Sequence, residues 1–149
     1  MSNWSLGNLR VSVELGDIDD SSMDLVVKTK DIALGASIVA KEGSNANEVL
    51  YWPGISLKNP DRRSEIFTAA LGALETARSL NAQRVGFFTM GFEVSRIPSW
   101  EVAEEIVKAI VSHSKTESGP NYVFLVASSP IQVSSFQYAL NNISTVVPE

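Results

Sequence analysis

Few residues of this 149-residue chain are equipped for chemistry. It has one histidine, His113, and no cysteine. Disulfide scaffolds, cysteine-ligated zinc and His-rich metal sites are therefore excluded, and a Ser-His-Asp hydrolase would depend on a single imidazole. His113 falls near the end of an apolar-striped segment, where an imidazolium suits a helix carboxyl terminus, so a structural role outweighs a catalytic one. No G-x-G-x-x-G and no G-x-S-x-G run occurs. Gly86 and Gly91 have the spacing of an ATP-type phosphate loop, but Phe92 stands where that loop needs lysine. The sequence alone names no catalytic residue, metal ligand or cofactor.

Charge narrows the partners. Twelve basic against 17 acidic side chains give a net charge of −5 and a pI near 4.9. Duplex nucleic acid is disfavoured by that balance, although a local basic patch is compatible with it. Residues 1–60 hold five basic and eight acidic groups, and residues 61–149 seven and nine. Neither half is a charged tail, so one domain over 1–149 is expected. Hydrophobic residues are 44% and charged residues 19%, which fits a chain that buries roughly 70% of its unfolded surface. Residues 1–16 lack a basic flank followed by an apolar run, and no stretch of ~18 apolar residues occurs. A cytoplasmic protein without a membrane span is the expectation.

The elements that must position any site follow from periodicity. Leu9, Val11, Val13 and Leu15 alternate with polar residues and predict a strand with one wet face. Leu25-Val26-Val27 is a continuous apolar run, suited to a central strand covered on both faces. Ile32 to Lys41 reads as either a short helix or an extended piece. Val49 to Trp52 predicts a strand stopped by Pro53-Gly54. Asn59-Pro60-Asp61 opens a helix with Ile66, Ala69, Ala70, Ala73, Leu74, Ala77 and Leu80 on one stripe. Arg84 to Thr89 is the next strand. Pro98-Ser99 opens a second helix, with Val102, Ala103, Ile106, Ala109 and Ile110 inward and Glu101, Glu104, Glu105 and Lys108 outward. Tyr122 to Ala127 is a buried strand, and Ser129 to Gln132 has capping-box spacing before a last helix through Phe136, Ala139 and Leu140.

Strict alternation from the middle onward predicts a three-layer α/β/α fold, with a mixed, mostly parallel sheet and helices on both faces. Ligands of such sheets bind beyond the carboxyl ends of the strands. The loops at Gly16–Asp20, Thr29–Ser37, Thr89–Pro98 and Ala127–Pro130 are therefore the ones to inspect.

Those loops carry a resemblance. Leu15-Gly16-Asp17-Ile18, followed by Asp24-Leu25-Val26-Val27, resembles the opening of a macro domain, whose first strand ends in a GD-[IV] turn and whose second carries D-x-[IV]-V. Val85 to Gly91, Arg96-Ile97-Pro98 and Val102 to Ile106 are similar to that family's second phosphate loop and its helix. The resemblance covers residues 6–143. It implies a cleft for ADP-ribose or a related nucleotide derivative, with Asp17 accepting from the adenine amino group and Ile18 as its apolar neighbour; a turn cap after a strand is the competing role for Asp17.

The ligand loops depart from the family's pattern. Asp31 falls at the key Asn position of the ribose loop, where it accepts but cannot donate and repels a diphosphate. Leu34-Gly35-Ala36-Ser37 replaces a run of glycines. Gly91-Phe92-Glu93-Val94-Ser95-Arg96 replaces a Ser-x-G-x-x-G run, with Glu93 opposing a phosphate and Arg96 partly offsetting it. Three functions are then in play. The first is a ligand-binding module using Asp17, Ile18, Asp31, Gly35, Ala36, Ser37, Gly91, Phe92, Glu93, Ser95 and Arg96. The second is a macro-like fold turned to protein contacts, with Tyr51, Trp52 and Trp100 as candidate exposed aromatics. The third is a hydrolase of an ADP-ribose ester or phosphate, in which Asp31 or Glu93 would act as base.

Overall fold

The structure, a computed structural model, describes residues 2–16, 21–28, 31–34, 37–40, 48–55, 57–89, 92, 96–115 and 119–143; for residues 2, 31–34 and 37–40 it describes the backbone alone. Eight strands and three helices lie among the described residues. They are β1 (Ser2–Leu6), β2 (Leu9–Leu15), β3 (Leu25–Lys28), β4 (Asp31–Leu34), β5 (Ser37–Ala40), β6 (Glu48–Tyr51), α1 (Arg62–Ser79), β7 (Arg84–Phe88), α2 (Ser99–Ser114), β8 (Tyr122–Ala127) and α3 (Pro130–Asn141). Six strands form one sheet in the order β1-β2-β8-β7-β3-β6, parallel except for β1. Leu25–Val27, Val85–Phe88 and Val123–Val126 lie in three of its four interior strands, the fourth being β2.

Register sorts the side chains into rows. Val11, Val123, Val85 and Leu25 lie side by side across β2, β8, β7 and β3, and Val13, Leu125, Phe87 and Val27 form the next row. Both rows belong to the main apolar cluster, with Ile66, Leu74, Ile106, Ile110 and Phe136 of the three helices. The described helices therefore pack over one face of the sheet. The second face carries Ser12, Phe124, Gly86 and Val26 in one row and Glu14, Val126 and Phe88 in another. The connection from β3 to β6, which a right-handed crossover would carry over that second face, lies mostly outside the described residues.

Several expectations change. Ser2–Leu6 is a strand, not anticipated because Asn3 and Ser5 give it no apolar run. It pairs antiparallel with β2 around Gly7, which takes φ +65°, and the Trp4 indole N–H donates to Asn141 Oδ1 at 2.9 Å. The face of β2 expected to be wet is partly covered: Ser12 is buried, because β2 is flanked by β1 and β8 and packs beside Phe124. The ambiguous stretch from Ile32 is extended, a two-stranded hairpin of β4 and β5. Helix α1 begins after Pro60, not with it, and Asn59 Oδ1 accepts from Asp61 N–H at 2.8 Å in the turn before it. Leu80, at its carboxyl end, is exposed.

The outward reading of Glu101 and Glu105 is wrong. Both are buried, because Arg62 and Arg63 of α1 reach across to hold them. His113 is also buried, and burial pushes its imidazole below the ordinary value, which disfavours the imidazolium expected at the helix end. The capping box forms by half: Ser129 Oγ accepts from Gln132 N–H at 3.2 Å, while the Gln132 side chain donates to Ser99 O at 3.3 Å. That second bond ties the start of α3 to the start of α2.

Candidate functional site

Strands β2, β8, β7, β3 and β6 run parallel, so their carboxyl ends share one edge. At that edge β2 is followed by Gly16, whose N–H donates to Ala127 O at 2.9 Å and whose φ is +88°. An added Cβ at Gly16 would meet nothing within 4 Å, so it is the left-handed backbone rather than space that favours glycine there. The chain thus leaves the sheet sharply just before Asp17. Thr89, fully enclosed, staples the end of β7 to β8 through its N–H and hydroxyl, both on Val126 O at 3.1 and 3.3 Å.

Beside the carboxyl end of β7 lies an aromatic knot. Trp52 follows β6, its main-chain N–H donates to Lys28 O at 2.9 Å, and its indole N–H donates to Phe88 O at 2.8 Å. The Phe92 ring meets Trp52 edge to face at 5.3 Å, and Phe87 lies 5.8 Å from it. Phe92 N–H donates to Thr89 O at 3.2 Å. The knot fixes where Phe92 sits: its ring is buried against Trp52 and its N–H is held by Thr89. Lys28 ends β3 with its ammonium 4.7 Å above the Phe88 ring, which sets a cation at this edge.

Two grooves flank α3, whose amino terminus also opens at this edge. One, of about 390 Å³, lies between α2 and α3 and is lined by Trp100, Ile131 and Tyr138, exposed by 52%, 69% and 58%. The other, of about 400 Å³, runs along β2 beside Leu15 and Val133. They share Pro130 and Ser134.

Comparison with solved structures decides what this arrangement is. A mutant of the Oceanobacillus iheyensis macrodomain with ADPR superposes with a TM-score of 0.78 at 14% identity, over 97% of this chain and 98% of that one. The same macrodomain with ADP gives 0.78 at 12% identity, over 98% and 97%. The Trypanosoma brucei macrodomain in complex with ADP gives 0.65 at 12% identity, over 87% and 68%. The chain has the macrodomain fold. No family model matches the sequence, and no curated protein sequence matches it significantly.

Within the macrodomain fold the expected site residues divide by what is described. Asp17, Ile18, Gly35, Ala36, Gly91, Glu93 and Ser95 lie outside the described residues. Asp31 begins β4 and Ser37 begins β5, on opposite strands of one hairpin. Arg96 is exposed and takes φ +62°, a left-handed turn immediately before Ile97 and the start of α2. Of the three aromatics considered for contacts, Tyr51 and Trp100 are exposed, whereas Trp52 is core, its ring enclosed by Phe87 and Phe92. Lys28 was not singled out in sequence, since one lysine at a strand end is unremarkable until Phe88 is seen beneath it. Among the described residues no group of three His, Cys, Asp or Glu could hold a metal ion, and no helix is long and apolar enough to cross a membrane.

Proposed function

We propose that the protein is a binding module for ADP-ribose or a related nucleoside diphosphate, held at the carboxyl edge of the sheet. One observation carries the reading: over nearly its whole length the chain superposes on macrodomain structures that hold ADPR and ADP. Asp17, directly after the turn at Gly16, would take the adenine amino group. The segments Leu34 to Ser37 and Gly91 to Arg96 would hold the diphosphate. Lys28 and Arg96 would offset the unfavourable charges of Asp31 and Glu93. Each of those two carboxylates would cost on the order of 1 kcal/mol of diphosphate binding.

Calorimetric titration with ADP-ribose tests this. Weak, saturable, one-to-one binding is expected, tightened by Asp31→Asn and by Glu93→Gln. Absence of heat and of any thermal stabilisation at millimolar ligand would overturn it. The exposed trio Trp100, Ile131 and Tyr138 favours a second reading, a macrodomain fold that works through protein contacts. In that case ADP-ribose does not bind, and a Trp100→Ala variant loses a protein partner while keeping its melting temperature.

A further inference from the structure

At the opposite end of the sheet, where β2, β8 and β7 begin, the second face carries an alternating row of cations and rings. Arg10, Tyr122 and Arg84 are register neighbours. The Arg10 guanidinium lies 6.0 Å from the Tyr122 ring, and that of Arg84 lies 5.3 Å from Tyr122 and 4.9 Å from Phe124. Tyr122 and Phe124, at alternate positions of β8, are nearly parallel, with centroids 6.5 Å apart and planes inclined by 19°. Arg10 and Tyr122 are exposed.

Among the described residues no carboxylate neutralises this row. Arg62, Arg63 and Arg78 are each paired with glutamate, but among the described residues neither Arg10 nor Arg84 joins a carboxylate. Asp24, just before β3 and beside Arg84, already accepts the Gln83 and Arg84 N–H groups through Oδ2 at 2.8 and 3.1 Å. Arg84 Nε has no hydrogen-bond acceptor. An acidic chain has here assembled two unpaired guanidinium groups around a flat aromatic step.

We infer that this row binds single-stranded nucleic acid. The Arg10 and Arg84 strands are two strand spacings apart, about 9.5 Å, so two phosphates of an extended strand can be met at once. Bases stack on the open part of Tyr122 and on the guanidinium plane, as aromatic and arginine platforms do for unpaired bases. An acidic peptide would satisfy the arginines but has nothing for the rings, and a duplex hides its base faces.

The test is fluorescence anisotropy of a fluorescein-labelled oligothymidylate dodecamer with the intact protein. Two phosphate contacts predict a roughly sevenfold weakening between 50 and 200 mM salt. Arg10→Ala, on an exposed side chain, should roughly halve the logarithmic salt slope. Tyr122→Ala should weaken binding by about 5- to 150-fold, the loss of one stacked base. Excess ADP-ribose should leave binding unchanged, because the row lies at the other end of the strands from the nucleotide edge. No binding at 50 mM salt, displacement by ADP-ribose, or equal displacement by polyglutamate and by unlabelled oligothymidylate would each overturn the proposal. So would Arg10→Ala and Tyr122→Ala variants that both bind like the parent.

Discussion

Arg62 grips both carboxylate oxygens of Glu101, Nε to Oε1 at 2.8 Å and Nη2 to Oε2 at 2.9 Å. The pair joins the first turn of α1 to the first turn of α2, and Glu101 sits where a carboxylate favours the helix dipole. Beside it Arg63 holds Glu104 and Glu105, and Lys108 adds a third cation at 3.0 Å from Glu105. The Arg63 guanidinium also lies 5.1 Å above the Trp100 ring. This clasp anchors the amino end of α2, which opens at the carboxyl edge of the sheet.

Its two halves are unequal. Arg62→Ala leaves a buried carboxylate without its partner, whereas Glu101→Gln leaves a neutral amide that still accepts one hydrogen bond. The melting temperature should fall from parent to Glu101→Gln to Arg62→Ala. High salt should narrow the gap only partly, since Glu101 is buried. Parent-like melting of Arg62→Ala would show that the clasp contributes nothing.

Gly119 and His113 form a second contact that the sequence concealed. Gly119 takes φ +144°, and a Cβ there would collide with Nε2 of the buried imidazole. Gly119→Ala should therefore cost about 1–3 kcal/mol from backbone strain alone, with displacement of the ring in addition. The same burial sets a pH dependence. Burial lowers the His113 pKa below 6.5, an effect Glu75 opposes and Arg78 reinforces. With its folded pKa depressed, the group binds its proton more readily when unfolded. Stability is thus full above about pH 6.5 and declines as pH falls below it, by at most about 1.4 kcal/mol per pH unit. Urea titrations at pH 7 and 5.5 should show a smaller drop in His113→Gln than in the parent; equal drops would remove His113 from the acid response.

How much of this was legible follows from what kind of signal each residue gives. Continuous apolar runs such as Leu25–Val27 and Val123–Val126 name central strands, because only a strand covered on both faces needs them. Ser129 with Gln132 three residues later marked a real helix start. The polar strand Ser2–Leu6 gave no such signal, since its place is set by pairing with β2 and by Trp4 reaching Asn141. Glu101 and Glu105 looked like an outer face because helical spacing cannot see arginines some forty residues earlier. The carboxyl edge and the turn at Gly16 were legible, but the knot of Trp52, Phe92 and Phe88 is a tertiary fact without a local pattern.

That knot makes a prediction of its own. Trp52→Phe keeps a ring against Phe87 and Phe92 but removes the indole N–H from Phe88 O, leaving a carbonyl at the strand end without its donor. The cost should be about 1–3 kcal/mol for the orphaned acceptor, with some loss of packing besides. Because Phe92, which follows Thr89 into the candidate phosphate loop, packs on this ring, ADP-ribose affinity should weaken along with stability. Urea denaturation and calorimetry on one preparation read both. Unchanged affinity in a destabilised Trp52→Phe protein would separate the knot from the site.

Asp17 offers the sharpest test of the nucleotide reading, since its chemistry discriminates between bases. If adenine docks at the turn after Gly16, its exocyclic amine donates to the Asp17 carboxylate. In the hypoxanthine analogue of ADP-ribose a carbonyl replaces that amine, so two acceptors would face each other with no proton between them. Leaving that contact unsatisfied should cost about 1–3 kcal/mol, and more for a charged partner. The parent should therefore prefer ADP-ribose to its hypoxanthine analogue by roughly tenfold or more, and Asp17→Ala should erase the preference without unfolding the protein. A turn residue behaves differently: Asp17→Ala would lower the melting temperature slightly and leave the ratio of the two affinities alone. Equal affinity of the parent for both ligands would exclude Asp17 from base recognition, whatever the variant does.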